Sequence, residues 1–436
     1  MITISRLSGQ LQRLFERDAP YLAQQMGLRQ RVFGATRLAL LLVLGWLQHP
    51  QAGPSVLARF AGKLGITTSK QAVQEHFTMQ TATWLLALLR QAVEYLVCAQ
   101  ALSLPLLQRF RGVFVEDGST ISLPAVLKTV WRGCGGSSSP ASLKLTVRWD
   151  LLSGQLAGPY VQEGRAHESS SPLQQQPMRT GSLWMADLGY FALKRLLAFI
   201  RQGIYFLLRY KPGVLLWNAQ GQLLDLVHAL PQQEGELFDQ PVRLGASKQV
   251  QARLLAQKVP PRVVEQRREQ LKERAHKQNK PINPLVWELV QWTILLTNVP
   301  GSLLSAQEAF RLQRARWQIE LLFKLWKEHG KVDEWTSSKP ERILCEVYAK
   351  LLAMLVQHWL LLLSCWQDPH RSLERCAEVV REQVPLLIYG LTRQISLTTA
   401  LRLLCQALAG ECSIAARQTR LSTSRLLLGE QAPGLT

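Results

Sequence analysis

Residues 110–120 read FRGVFVEDGST, and residues 182–190 read SLWMADLGY. Each is a short apolar run ending on one acid, Asp117 or Asp187, with a glycine just beyond. Apolar runs rich in Val, Phe and Trp and bounded by Gly and Ser predict strands. Both aspartates are therefore expected at strand ends, where a sheet delivers side chains to a cleft. Glu116 should face away from Asp117 if the strand continues. A third acid, Glu320, sits in RARWQIELLFKLWK (314–327) amid Trp317, Ile319, Leu321 and Phe323. A carboxylate on an apolar helix face costs several kcal/mol to bury unless something positive meets it. A divalent ion shared with the two aspartates meets that need. Three carboxylates suit Mg²⁺ or Mn²⁺, which also take substrate phosphate as a ligand, and two such ions serve phosphodiester chemistry.

Outward from these runs the chain divides by pattern. Residues 1–105 read as helices, and 55–77 resemble a helix-turn-helix: Val56, Leu57, Phe60 and Ala61 form one face, Gly65 ends the helix, and Thr67, Thr68 or Ser69 caps the next. Lys70, Gln71, Gln74 and His76 are expected on its polar side. From 106 to 340 strands are expected at 110–116, 143–149, 182–186, 204–210 and 290–298, with a helix at 191–201. A β-rich insertion at about 213–290 holds strands at 214–217, 222–227, 242–244 and 250–257 and a charged helix at 265–280. A long amphipathic helix is expected from 305 to 328, ending at Gly330. Residues 341–436 return to helices. This is an α/β chain, a mixed-sheet core between helical N- and C-terminal regions.

The 436 residues carry 51 Lys+Arg against 31 Asp+Glu, a formal charge of +20. Ample apolar residues (47%) exclude a disordered chain. The excess is spread along the sequence and points to a polyanion, nucleic acid first and anionic membrane second. Residues 38–47 are too short to span a bilayer. Residues 347–366 are long enough but contain Lys350, Gln357 and His358, so a buried core helix is expected. Seven cysteines without a C-x-x-C, and an N-terminus unlike a signal peptide, suit a reducing cytoplasm. Asp150 precedes Leu-Leu-Ser-Gly and reads as a turn residue; His167-Glu168 lies in a Ser-rich loop. No nucleotide-binding P-loop and no zinc spacing are present.

Asp117-Gly118-Ser119, Asp187-x-Gly189-Tyr190 and Arg316-x3-Glu320-x6-Lys327 together resemble the cut-and-paste DDE transposases of the insertion sequence 4 class. That class carries a Tyr-x2-Arg-x3-Glu-x6-Lys signature, and here Gln313 holds the tyrosine position. The resemblance covers about 106–340 and implies a ribonuclease-H-like core with Asp117, Asp187 and Glu320 as catalytic, metal-binding triad. It implies two Mg²⁺ (or Mn²⁺) ions, double-stranded DNA ending in terminal inverted repeats, target DNA, a hairpin intermediate and a homodimer holding two ends in the bacterial nucleoid. Arg209, Lys211, Arg316, Lys324 and Lys327 are the phosphate candidates. Trp292 and Trp317 are the candidates for stacking on a flipped base. Helices 1–105 would bind DNA and 341–436 would serve dimerisation. Gln313 keeps hydrogen bonding but loses an aromatic face, which leaves a catalytically impaired DNA-binding relative as the alternative.

Overall fold

A computed structural model describes residues 2–29, 33–135, 139–167, 170–368, 371–412 and 423–429. The period-two runs build β1 (Val113–Leu123), β2 (Ala141–Asp150), β3 (Leu156–Glu163), β4 (Leu183–Ala186), β5 (Tyr205–Arg209), β6 (Leu216–Trp217), β7 (Leu237–Leu244), β8 (Val250–Lys258) and β9 (Trp292–Thr297). They form one sheet in the order β3-β2-β1-β4-β5-β9-β8-β7-β6. β1 is parallel to β4, and β4 to β5; every other neighbouring pair is antiparallel. The insertion strands thus extend the same sheet beyond β9.

Side chains alternate along each strand, so the two faces differ. Val113, Val115, Leu183, Met185, Leu207 and Leu295 enter a large core shared with helices from both ends of the chain. Trp184, Ala186, Phe206, Leu208, Ile294 and Leu296 enter a smaller core on the other face, together with Leu196 and Phe199 of the helix Leu193–Arg201. The hub of the large core is the helix Pro340–Ser364, which packs against Ala35–Gln48 and Met79–Val93. It is the one helix among the described residues long and apolar enough to cross a membrane, and 89% of its apolar window is buried inside the protein. Its polar interruptions find partners there. Lys350 Nζ donates to the carbonyls of Lys331 (3.1 Å) and Glu334 (2.7 Å), and His358 Nε2 meets the Gly154 carbonyl at 2.8 Å.

Several expectations need correction. β1 does not stop at Glu116 but runs through Asp117 to Leu123, because β2 supplies a full antiparallel partner (Asp117 opposite Val147, Leu123 opposite Ala141). β3 was unexpected; its Gly158-Pro159 reads as a break. Residues 222–227 form no strand: Asp225 accepts the Val227 and His228 amides and caps the short helix Leu226–Ala229. The helix expected over 305–328 starts as read, with Ser305 and Glu308 forming a capping box. It then breaks at Arg316–Trp317 into Ala306–Ala315 and Gln318–Lys324. In the helix-turn-helix-like segment Ser69 is the cap and Gly65 takes φ +71°. The second helix is only Lys70–Gln74, and His76 turns inward, edge-on to Phe33 at 5.1 Å. Glu168 lies outside the described residues.

Candidate active site

Strand register brings the two aspartates together. Glu116 pairs with Ala186 and Met185 with Leu207. One residue further on β1 and β4 lie Asp117 and Asp187, roughly one strand spacing of 4.8 Å apart in the backbone. Two residues beyond Leu207 is Arg209, in line with Asp187. By alternation all three lie on the face of Val113, Val115, Met185 and Leu207. The helix Gln318–Lys324 covers that same face, burying Ile319, Leu322 and Phe323 against β1 and its surroundings. Lys327 Nζ donates to the Thr120 carbonyl at 3.0 Å and ties this helical segment to β1.

Arg316 joins the acids. It sits at the helix break, its Nη2 2.7 Å from Glu320 Oε1 and its Nη1 3.7 Å from Asp117 Oδ2. Burial pushes the Asp117 carboxyl up to about 6; Asp187 and Glu320 add to the rise, while the Gly118 amide and Arg316 oppose it. Burial also lowers Arg209, as does the neighbouring Arg316, whereas Asp187 and Glu320 hold its proton. Asp117, Asp187, Glu320, Arg209 and Arg316 therefore share one electrostatic neighbourhood. Three carboxylates against two arginines leave a net negative site, whose hard oxygens fit a divalent cation. In this conformation the acids stand wider than a closed ligand set, with Arg316 reaching two of them. Among the described residues, the set of Cys, His, Asp or Glu whose ligand atoms all lie within 4.8 Å is elsewhere, at Cys365, Cys376 and Cys412.

Behind Asp117 the strand is locked. Glu116 points to the opposite face, fully buried, where its Oε2 accepts from Arg148 Nε (3.0 Å) and Nη2 (2.9 Å), Arg195 Nη2 (3.1 Å) and Trp184 Nε1 (3.0 Å). Gln174 Nε2 donates to its Oε1 at 3.0 Å. Burial alone would raise this carboxyl, but Arg148, Arg195 and Trp184 outweigh it and hold it below the usual range. Asp150 accepts the amides of Val113, Leu152 and Ser153, closing the β2–β3 turn onto β1.

The remaining candidates separate. Trp317 is 53% exposed beside Glu320. Trp292 shares the face of Ile294 and Leu296, opposite the acids, and is buried with its indole N–H given to the Pro231 carbonyl at 2.8 Å. In this structure it packs in the smaller core and leaves no open ring face for a base. Lys324 pairs with Glu328 at 3.5 Å rather than with Glu320. Lys211 is exposed just past β5. Gln313 is 8% exposed, and its buried Oε1 has no hydrogen-bond partner. Its side chain is inside, so the departure from tyrosine leaves no exposed surface at this position. One cation escaped sequence reading. Arg267, on the charged helix Pro261–Gln278, donates to the carbonyls of Val290 (3.0 Å) and Trp292 (2.9 Å) and to Thr293 Oγ1 (2.9 Å). Burial and the proximity of Arg209 both lower its pKa. Nothing in the sequence distinguishes it from Arg262, Arg268 or Arg274.

A family model described as a transposase DDE domain matches residues 108–356. The transposase for insertion sequence element IS231F of Bacillus thuringiensis subsp. israelensis is 24% identical, over 75% of this chain and 73% of its own. The transposase for IS231B of Bacillus thuringiensis subsp. berliner is 23% identical over 77% and 75%. The transposase for IS1151 of Clostridium perfringens is 24% identical over 69% and 68%.

Proposed function

Because the chain belongs to the DDE transposase family, enzymes that cleave and transfer DNA strands, we propose that Asp117, Asp187 and Glu320 are its catalytic acids. The observation that carries this reading is their convergence, by strand register and helix packing, around Arg316 and Arg209. The strand order β3-β2-β1-β4-β5, with β1, β4 and β5 parallel, supports a ribonuclease-H-like core enlarged by the insertion strands. The three carboxylates would hold Mg²⁺ or Mn²⁺, two ions in the fullest form. Bound there, such ions supply Lewis acidity and an activated oxygen for phosphodiester hydrolysis and transesterification.

The chain's own residues do the rest. Asp117 and Asp187 are fixed by the sheet and Glu320 by the helix above it. Arg316 neutralises Asp117 and Glu320 before the site is loaded, then turns its guanidinium to the scissile phosphate, for which a planar fork is suited. Arg209, Lys211, Lys324 and Lys327 line the phosphate path, and the exposed Trp317 stacks on an unpaired base next to the cut. The substrate is duplex DNA at the element's terminal inverted repeats, released through a hairpin and joined to target DNA by a dimer holding two ends. Residues 1–105 grip the flanking duplex and 341–436 take part in pairing of the two chains.

The test is strand cleavage of DNA carrying the terminal repeats, with Mg²⁺ or Mn²⁺. Asp187→Ala should retain end binding and lose cleavage. Unchanged cleavage products in that variant would remove Asp187 from the mechanism, and a wild-type chain that binds ends without cutting would favour the impaired relative.

A further inference from the structure

Outside the carboxylate site, three thiols meet. Cys365 caps the C-terminus of the helix Pro340–Ser364, Cys376 lies in Leu373–Glu382, and Cys412 follows Leu397–Glu411. All three are buried, none is in a disulfide, and their Sγ atoms lie within 4.8 Å of one another. A tetrahedral zinc with Zn–S bonds of about 2.3 Å separates its sulfurs by roughly 3.8 Å, so the sulfurs need close by no more than about an ångström.

Buried thiols can pack as small hydrophobes, but these three also stand beside a charged side chain. Arg371 is drawn inside: its Nη1 donates to the carbonyls of Trp366 (2.6 Å) and Asp368 (2.7 Å), its guanidinium lies 4.2 Å from the Trp366 ring centroid, and its buried Nε has no hydrogen-bond partner. Cys365, Cys376 and Asp368 all lie within electrostatic reach of this guanidinium. A half-buried cation beside the sulfurs, with its Nε unsatisfied, suits the negative charge that metal-bound thiolates would carry.

We propose that Cys365, Cys376 and Cys412 form a structural site for one thiophilic divalent ion of the zinc class, with Arg371 as its counter-charge. Binding deprotonates three thiols, M²⁺ + 3 RSH → [M(SR)₃]⁻ + 3 H⁺, the protons leaving to solvent. The product carries a single negative charge, which one guanidinium balances. Three soft donors select zinc-like ions over Mg²⁺, so this site and the carboxylates do not compete for metal. The ion would clamp the ends of three helices and close the loop from Cys365 to Cys412.

The test uses the full chain, reduced and stripped with a chelator, titrated with Cd²⁺ alone and followed by thiolate-to-metal charge-transfer absorbance. Saturation at one Cd²⁺ per chain is expected, with displacement by Zn²⁺ and a higher melting temperature in Zn²⁺. Cys376→Ser and Cys412→Ser should each lose the stoichiometric band, while Cys405→Ser, outside the cluster, should keep it. Circular dichroism of the metal-free variants separates loss of the site from loss of the fold; should either serine variant fail to fold, Arg371→Gln must still weaken Cd²⁺ binding at least tenfold. No stoichiometric band in the wild type, a band that survives Cys376→Ser, or a disulfide between two of the three thiols in protein alkylated at lysis would each overturn the proposal.

Discussion

Replacing Glu116 by glutamine keeps the shape of the side chain and removes its charge. Two guanidiniums then lose their anion: Arg148, whose side chain is 4% exposed, and Arg195, at 15%. Three charge-assisted bonds to Oε2, at 2.9, 3.0 and 3.1 Å, weaken to neutral ones. The amide nitrogen also becomes a donor facing either Gln174 Nε2 or Trp184 Nε1, both already donors. Breaking a buried pair in this way costs about 3–5 kcal/mol, and solvent cannot soften it because Glu116 is fully buried. The urea midpoint of Glu116→Gln should drop by that equivalent at pH 7. Adding Arg148→Met removes one stranded cation, so the double variant should lose less than the sum of the two single changes. A Glu116→Gln loss below about 1 kcal/mol, or strict additivity in the pair, would refute the view that this network locks β1 behind Asp117.

Three further outcomes are expected. Burial holds His358 down to about 4 against an ordinary 6.5; a pKa lowered on folding gives stability that is full above pH 6.5 and drains away as pH falls toward 4, by at most about 3 kcal/mol. His358→Asn should flatten that stretch of the stability–pH curve, and an unchanged slope would exclude His358 as its source. At Gly154, where φ is +71°, a Cβ would lie 2.3 Å from Leu362 and 2.8 Å from Trp366, so Gly154→Ala should destabilise by about 2–3 kcal/mol in denaturant titration. Trp317→Ala should leave the melting curve alone but weaken hairpin-stage DNA handling by about 1–3 kcal/mol, whereas Trp292→Ala should lower stability by about 3–5 kcal/mol; the reverse pattern would exchange their roles.

Apolar alternation made β2, β4, β5, β8 and β9 legible within a few residues, since each is a run of Val, Leu, Ile, Phe or Trp with a clear period. It failed where the partner strand, not the sequence, creates the strand. The half of β1 that reads DGSTIS looks like a turn and is extended only because β2 lies alongside it. β3 begins LAGP and gave no signal for the same reason. The start of the long helix at Ser305 was legible, but nothing in Arg316–Trp317 announces a break. The three carboxylate candidates stand out in the sequence because each interrupts or ends an apolar run. The burial of Trp292 was not legible, because its position in sequence, close ahead of the glutamate helix, says nothing about which face of β9 it occupies. Arg267 was invisible among its neighbours because only tertiary contact with β9 sets it apart.

The helix Pro340–Ser364 fills the groove between Ala35–Gln48 and Met79–Val93, yet it leaves the ribosome about 250 residues after them. At roughly 5–20 residues per second, the N-terminal helices spend on the order of 10–50 seconds with their apolar stripes uncovered. A segment made late thus completes one made early. Fragments ending before residue 340 leave the helical layer incomplete and its apolar stripes exposed. Premature termination therefore leaves the N-terminal helices without the helix that buries them.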